Sequence, residues 1–229
     1  TMTLDDYDYS SKNIFGGFTR GTGRAIGNTI HIRNGGDAAS AYGGFTWGGG
    51  NAEDNKVYLH SGNTALHLVG GFIGHANGNA VNNRVEITDG GTKHIYGGWL
   101  NNPGATGKAD QNHIVINHGT IADSVYGGAI GTSGAGDSTG SVTGNTVTLK
   151  GGTVQAGTDS NNIYGGAIWG TASTGSVTGN TVTIAGGTVQ AGTGANHNHV
   201  YGGYTQGNGN VSGNTVTITG GGIGDNVYG

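Results

Sequence analysis

The chain has 229 residues, of which 53 are glycine, 10% are charged and none is cysteine, and its formal net charge is −4. An average globular domain is about 7% glycine and about 25% charged, so this composition folds only if it follows a regular repeat. Disulfides and thiolate sites are excluded, and the nine scattered Lys and Arg residues form no basic stripe. No apolar run is long enough to span a membrane. We therefore expect neither nucleic acid nor a membrane as a partner of this segment.

A motif of an aliphatic residue, an aromatic residue and two glycines recurs along the whole chain. Its second position is taken by Phe15, Tyr42, Val69, Tyr96, Tyr126, Tyr164, Tyr201 and Tyr228, at spacings of 27, 27, 27, 30, 38, 37 and 27 residues. The chain is therefore built on a basal repeat of 27 residues with insertions. Such repeats are typical of solenoids, in which each unit buries its apolar face against the next.

A second motif, Asn-x-aliphatic-x-aliphatic, lies between successive copies of the first. Its asparagines are Asn28, Asn55, Asn83, Asn112, Asn145, Asn180 and Asn214. The alternating aliphatic positions predict a short strand with one buried face, and the glycine that follows each asparagine by seven residues predicts a tight corner. We expect the asparagines to form a structural ladder at an inner corner, with their amides hydrogen-bonded from coil to coil.

Together the two motifs predict an all-β chain folded as a right-handed parallel β-helix (β-solenoid) of about seven coils, with roughly three faces per coil. At about 4.8 Å per stacked strand the rod is expected to be roughly 34 Å long. Residues 1–229 are expected to be a single fragment of a longer repeat array, because neither end carries a capping repeat. Insertions enlarge three loops, 131–141, 155–162 and 190–199, and such loops often form the binding side of a solenoid.

The exposure of two residue columns is left open by the sequence. One is the second position of the first motif, and the other runs through Phe18, Phe45, Phe72, Trp99, Ala129, Ala167 and Tyr204. A strand that runs straight through the glycine pair exposes the tyrosine column, whereas a bend there reverses this. Exposed rings suit stacking against sugars, but we favour packing for both columns. Trp47 and Trp169 are then the expected exposed platforms, and Trp99 is a further candidate binding residue.

Metal and catalytic sites have little support in the sequence. His197 and His199, two residues apart in the third insertion, are candidate binding residues, but without a neighbouring acid or cysteine they fall short of a metal site. Polysaccharide-cleaving β-helices need clustered carboxylates. Here Glu86, Asp89 and Asp110 lie in neighbouring coils in a register that the sequence leaves open. We expect no metal, no cofactor and no enzymatic activity, and a polysaccharide-active enzyme is a distant alternative.

Three coils carry Thr-Val-Thr, and flat Thr-x-Thr arrays on a solenoid can match the surface of ice. The threonines are Thr146, Thr148, Thr181, Thr183, Thr215 and Thr217. In earlier coils Lys56, Arg84 and His113 take the first of these two positions, and threonine is common on any exposed strand. An ice-binding solenoid is therefore only a distant alternative.

The repeat Asn-Thr-Val-Thr-Ile-x-Gly-Gly-Thr-Val followed by Val-Tyr-Gly-Gly, seen best at 180–189 and 200–203, resembles the glycine-rich arrays in passenger domains of large type V autotransporter adhesins of Gram-negative bacteria. The resemblance covers nearly the whole chain but identifies no ligand. It implies a rod that is secreted or displayed at the cell surface from the outer membrane. Its implied partner is a host-cell glycan or protein receptor, or like molecules on other cells. An inert stalk or a self-associating rod is the alternative.

Overall fold

The computed structural model describes residues 1–6, 8–75, 77–131, 136–155, 161–192 and 197–229, and within these ranges the chain forms strands and turns but no helix. In chain order the strands are β1 (Met2–Asp5), β2 (Asp8–Thr19), β3 (Ala25–Ile26), β4 (Thr29–Arg33), β5 (Asp37–Thr46), β6 (Ala52–Glu53), β7 (Lys56–Leu59), β8 (Asn63–Ile73), β9 (Ala80–Val81), β10 (Arg84–Ile87), β11 (Gly91–Leu100), β12 (Lys108–Asp110), β13 (His113–Ile116), β14 (Thr120–Ile121), β15 (Val125–Ile130), β16 (Ser141–Thr143), β17 (Thr146–Leu149), β18 (Thr153–Val154), β19 (Ile163–Ile168), β20 (Val177–Thr178), β21 (Thr181–Ile184), β22 (Thr188–Val189), β23 (Val200–Thr205), β24 (Val211–Ser212), β25 (Thr215–Ile218), β26 (Gly222–Ile223) and β27 (Val227–Tyr228).

The strands stack into three parallel sheets. The first sheet has eight strands in the order β1-β4-β7-β10-β13-β17-β21-β25. The second has twelve strands and includes β2, β5, β8, β11, β15, β19 and β23, and the third has seven in the order β24-β20-β16-β12-β9-β6-β3. Strands pair in register with their counterparts one coil away, as Val57 does with Val85 and Val85 with Ile114. The predicted right-handed parallel β-helix of about seven coils is confirmed.

Apolar side chains fill the interior in two clusters. The larger cluster lies between the first and second sheets and includes Ile32, Leu59, Leu68, Ile95 and Ile116. The smaller cluster lies behind the third sheet and includes Ala80, Leu100, Ala109, Ile130 and Val142. Since a coil cannot bury this surface alone, the stacking of coils supplies the core of the protein.

The asparagine column lies inside the coil, at the corner between the third and first sheets. Asn145 shows the pattern: its Oδ1 accepts from both the backbone N and the Nδ2 of Asn112 at 2.9 Å. Its Nδ2 donates to Ala109 O and to Asn180 Oδ1, both at 2.8 Å. Side-chain bonds of 2.8–2.9 Å link the whole column from Asn28 to Asn214. Every hydrogen-bonding site of the buried Asn145 amide is therefore satisfied, which offsets the cost of its burial.

A bend at the glycine pair brings the second sheet around this column. A Cβ placed on Gly43 lies 2.6 Å from Gly70 O, and one placed on Gly44 lies 2.6 Å from Asn55 Cγ. Both glycines therefore face inward, and the alternation of a straight strand is broken between them. Tyr42 and Phe45, on either side of the pair, consequently project from the same outer side of the sheet.

Candidate binding surface on the second sheet

The two aromatic columns share one outer face of the second sheet, which we call the aromatic face. In-register pairing aligns Phe15 with Tyr42 and Phe18 with Phe45, and the same alignment continues through the coils. The residues of this cluster are Tyr42, Phe45, Val69, Phe72, Tyr96, Trp99 and Ala129, with Phe15 and Tyr126 packed against them. The straight strand weighed from the sequence is therefore wrong, because the inward-facing glycine pair places both columns on one side.

Rings of the tyrosine column stack face to face along the rod. Tyr96, Tyr126, Tyr164 and Tyr201 follow one another with centroid distances of 4.8, 5.0 and 5.0 Å and interplanar angles of 6°. Burial raises the pKa of Tyr126 to about 12 and that of Tyr164 further. Since each ring face is covered by the next ring, these tyrosines present only edges outward. Packing, as predicted, is their role, and a sugar ring cannot stack on them.

Trp99 belongs to this packing and not to the solvent-facing surface. Its side chain is only 6% exposed. The ring stacks on Tyr96 at 4.3 Å and 9°, and its Nε1 donates to Gly131 O at 3.4 Å. The candidacy of Trp99 as a surface binding residue is corrected accordingly, because neighbouring rings and the backbone of the next coil enclose it.

Trp47 is the most exposed large apolar side chain of the described chain, at 58%. Its ring lies parallel to that of Phe45, at 6.0 Å and 3°. A Cβ on Gly74 in the next coil is 2.7 Å from Trp47 Cε3, so the indole rests on the glycine backbone. The absence of a side chain at Gly74 therefore makes room for the exposed ring.

Trp169 occupies the same column four coils further along the rod. The backbone N of Trp47 donates to Thr19 O, and that of Trp169 to Ile130 O, which gives both residues the same place after the aromatic motif. Trp169 is half-buried against Tyr164 and Tyr204, at 5.9 and 5.1 Å. The two tryptophans thus differ: Trp47 rests on a glycine, whereas Trp169 packs on rings.

Histidines line the aromatic face beside the tyrosine column, and the sequence gave no signal for this site. His67 stacks on His94 at 5.3 Å and contacts the ring of Trp99 at 5.4 Å. Burial, reinforced by the nearby His94 and Lys93, lowers the pKa of His67 to about 4. Asp123 lies 3.5 Å from His94 Nε2. The neutral form of His67 is therefore favoured around pH 7.

His197 and His199 stack on each other at 5.4 Å and 16°. The sequence showed no acid near them, but the next coil brings Asp225, whose Oδ1 lies 3.3 Å from His197 Nδ1. Backbone N–H groups of Gly192 and Asn198 also donate to Asp225 and lower its pKa to about 2. Asp225 thus holds the stem of the third insertion.

The stems of the three insertions border the aromatic face. Loop 131–141 follows β15, while loops 155–162 and 190–199 precede β19 and β23, and these three strands are neighbours in the second sheet. Asn161 N donates to Asn198 Oδ1 at 2.8 Å, which stacks the second and third stems. Residues 132–135, 156–160 and 193–196 of these loops lie outside the described residues.

The outer face of the first sheet carries the threonine array. Thr146, Thr181 and Thr215 align in register, and so do Thr148, Thr183 and Thr217. Lys56, Arg84 and His113 precede Thr146 in the same column, as the sequence predicts.

The three carboxylates that the sequence left in an open register lie apart. Glu86 is on the outer face of the first sheet and pairs with Arg84 at 2.8 Å. Asp110 ends a strand of the third sheet, and Asp89 accepts from Gly90 N in a turn. These residues do not form an acidic pair.

Over the described ranges, no group of three or more His, Cys, Asp or Glu side chains is placed to hold a metal ion. The same part of the chain contains no helix that is long and apolar enough to cross a membrane.

Comparison of the chain with protein-family models, with curated proteins and with solved structures finds no match.

Proposed function

We propose that the chain is a segment of a bacterial adhesin, secreted or displayed at the cell surface, whose β-helical rod presents a non-catalytic binding surface to host or neighbouring cells. The observation that carries the proposal is the position of the three insertions. Their stems flank β15, β19 and β23 in consecutive coils, so they border one stretch of the aromatic face. Enlarged loops grouped on one surface of a solenoid are typical of a binding side.

The division of labour between inside and outside supports the same function. The fold is held by the inner asparagine ladder and the two apolar clusters. The outer columns vary freely, as at Lys56, Arg84 and His113 in successive coils. A rod stabilised from within tolerates new loops and new outer side chains, which is what a surface that adapts to a partner needs. The resemblance of the repeat to adhesin passenger arrays agrees with this.

A set of shortened variants tests the proposal. Each insertion is cut to the length of an uninserted coil, and a double variant, Thr88→Ala with Asp89→Ala, changes an exposed turn of an uninserted coil as the control. We expect all variants to keep their β-sheet circular dichroism and cooperative unfolding, and only the shortened ones to lose binding to cells. Unchanged cell binding after all three loops are shortened contradicts the proposal and leaves the chain a spacer.

A further inference from the structure

Trp47 is exposed for a reason other than lying at an end of the stack. Arg20 precedes it in its column and Gly74 follows it, so it has a neighbouring coil on both sides. Phe18, by contrast, is 49% exposed in the first coil described, where no earlier coil can cover it. An exposed indole on a packed face carries a desolvation cost that a bound ligand removes.

Trp47 is also held rigidly. Its loop continues through three glycines, and these stack directly on the loop of the preceding coil. A Cβ on Gly48 lies 2.7 Å from Gly21 O, and one on Gly50 lies 2.9 Å from Thr22 O. No side chain fits between the two loops, so the backbone layers tightly and the indole stands out from it. A ligand that binds a pre-positioned ring loses little free energy to ordering the protein.

The polar groups beside Trp47 point to the chemistry of the ligand. Arg20 lies over the ring of Phe18, with its Cζ 5.9 Å from the centroid. It makes no ion pair within the described residues, whereas Arg24, two residues past Thr22, pairs with Glu53. The indole N–H of Trp47 has no acceptor among the described residues either. A flat apolar ring, a free N–H donor and an unpaired guanidinium match a pyranose ring that carries a carboxylate.

We propose that Trp47 and Arg20 form a subsite for an acidic sugar, a hexuronic acid unit of a glycan. The apolar face of the pyranose stacks on the indole of Trp47, and its carboxylate accepts hydrogen bonds from the Arg20 guanidinium. This inference rests on the proposed adhesin function and names the ligand class for one part of its surface. The subsite lies in the coils before the insertions, so it binds independently of them.

The test uses the intact 229-residue chain and two probes of equal length, tetragalacturonate and the neutral cellotetraose. Binding is followed by calorimetry and by tryptophan emission, in which Trp47 reports because Trp99 is enclosed. We expect tetragalacturonate to bind more tightly than cellotetraose, and its affinity to fall as salt is added. Trp47→Ala is expected to weaken tetragalacturonate binding at least tenfold, and Trp47→Phe to restore part of it. Arg20→Gln is expected to abolish the preference for the acidic probe.

Leu66→Ala is the matched control, since Leu66 is another exposed apolar side chain, at 46%, outside the subsite. Circular dichroism and unfolding midpoints show whether each variant is folded. Absence of binding by either probe, equal affinity for both, or affinity that survives Trp47→Ala overturns the inference. Cell binding that is lost on shortening the insertions but unaffected by Trp47→Ala leaves the adhesin proposal standing and overturns only the sugar subsite.

Discussion

Gly128 and Asn145 meet inside the coil with no room for a side chain between them: a Cβ on Gly128 lies 2.7 Å from Asn145 Nδ2 and 2.8 Å from Ala109 O. The two recurring motifs of the sequence are therefore two halves of one contact. The glycine pair bends the second sheet inward, and the asparagine of the following motif occupies the inner side of the bend. This contact explains why the motifs recur together through the chain.

Gly128→Ala is expected to destabilise the rod by about 2–3 kcal/mol, because the added methyl group strikes both a locked amide and a backbone carbonyl. The backbone angle at Gly128 is an ordinary one, so the effect is steric. The matched control is Gly21→Ala, where a Cβ meets nothing within 4 Å. Urea denaturation measures both, and equal midpoints for the two variants contradict the predicted contact.

Asn145→Ala is expected to cost about 3 kcal/mol or more, since it removes the acceptor of two donors of Asn112 and leaves them buried without partners. Asn117→Ala is the control, because the half-buried Asn117 only donates to Glu86 at the surface. Its cost is expected to stay below about 1 kcal/mol. Comparable losses in the two variants contradict the structural role of the ladder.

His67 is expected to make stability depend on pH. Its pKa is lowered from 6.5 to about 4 in the folded chain. Between these values the unfolded chain binds the proton and the folded chain does not, so the free energy of unfolding falls as pH falls from 6.5 to 4. The loss attributable to His67 is at most about 3 kcal/mol and levels off below pH 4.

The measurement is urea denaturation of the wild type and of His67→Gln at several pH values. The difference between the two stability curves isolates His67 from the carboxylates, which also titrate near pH 4. The matched control is His118→Gln, at an exposed histidine, which is expected to parallel the wild type. A wild-type curve parallel to that of His67→Gln contradicts the burial of a neutral imidazole on the aromatic face.

Quenching of tryptophan emission by acrylamide checks the sidedness of the outer columns. Trp47, at 58% exposed, is expected to supply most of the quenchable emission, and Trp99, at 6%, almost none. Trp47→Phe is therefore expected to remove the easily quenched fraction, while Trp99→Phe leaves it. The reverse result contradicts the placement of the two rings.

The sequence predicts the solenoid, its repeat and its inner ladder because these depend on spacing, which is visible in one dimension. The side on which the aromatic columns lie was not decided, since it depends on whether Gly43 and Gly44 alternate or both face inward. The exposure of Trp47 depends on the glycine at position 74 of the next coil, and the burial of Trp99 on Tyr96 and on the backbone of Gly131.

Contacts between coils of unequal length were the hardest to predict. His197 meets Asp225 across coils in which an insertion hides the register, so the pair looks isolated in the sequence. The site formed by His67, His94 and Asp123 escaped for a related reason. Pairing shifts by one residue between Thr92 and His94, so the spacing of the basal repeat does not align these side chains.

The most direct test of the account asks whether the intact chain binds cells at all. Labelled 229-residue chain is titrated onto epithelial and bacterial cells, with unlabelled chain as competitor. The account predicts saturable, competable binding that is lost when the three insertions are shortened. Binding that never saturates, or that equals the signal of the shortened chain, contradicts it and makes the rod a spacer.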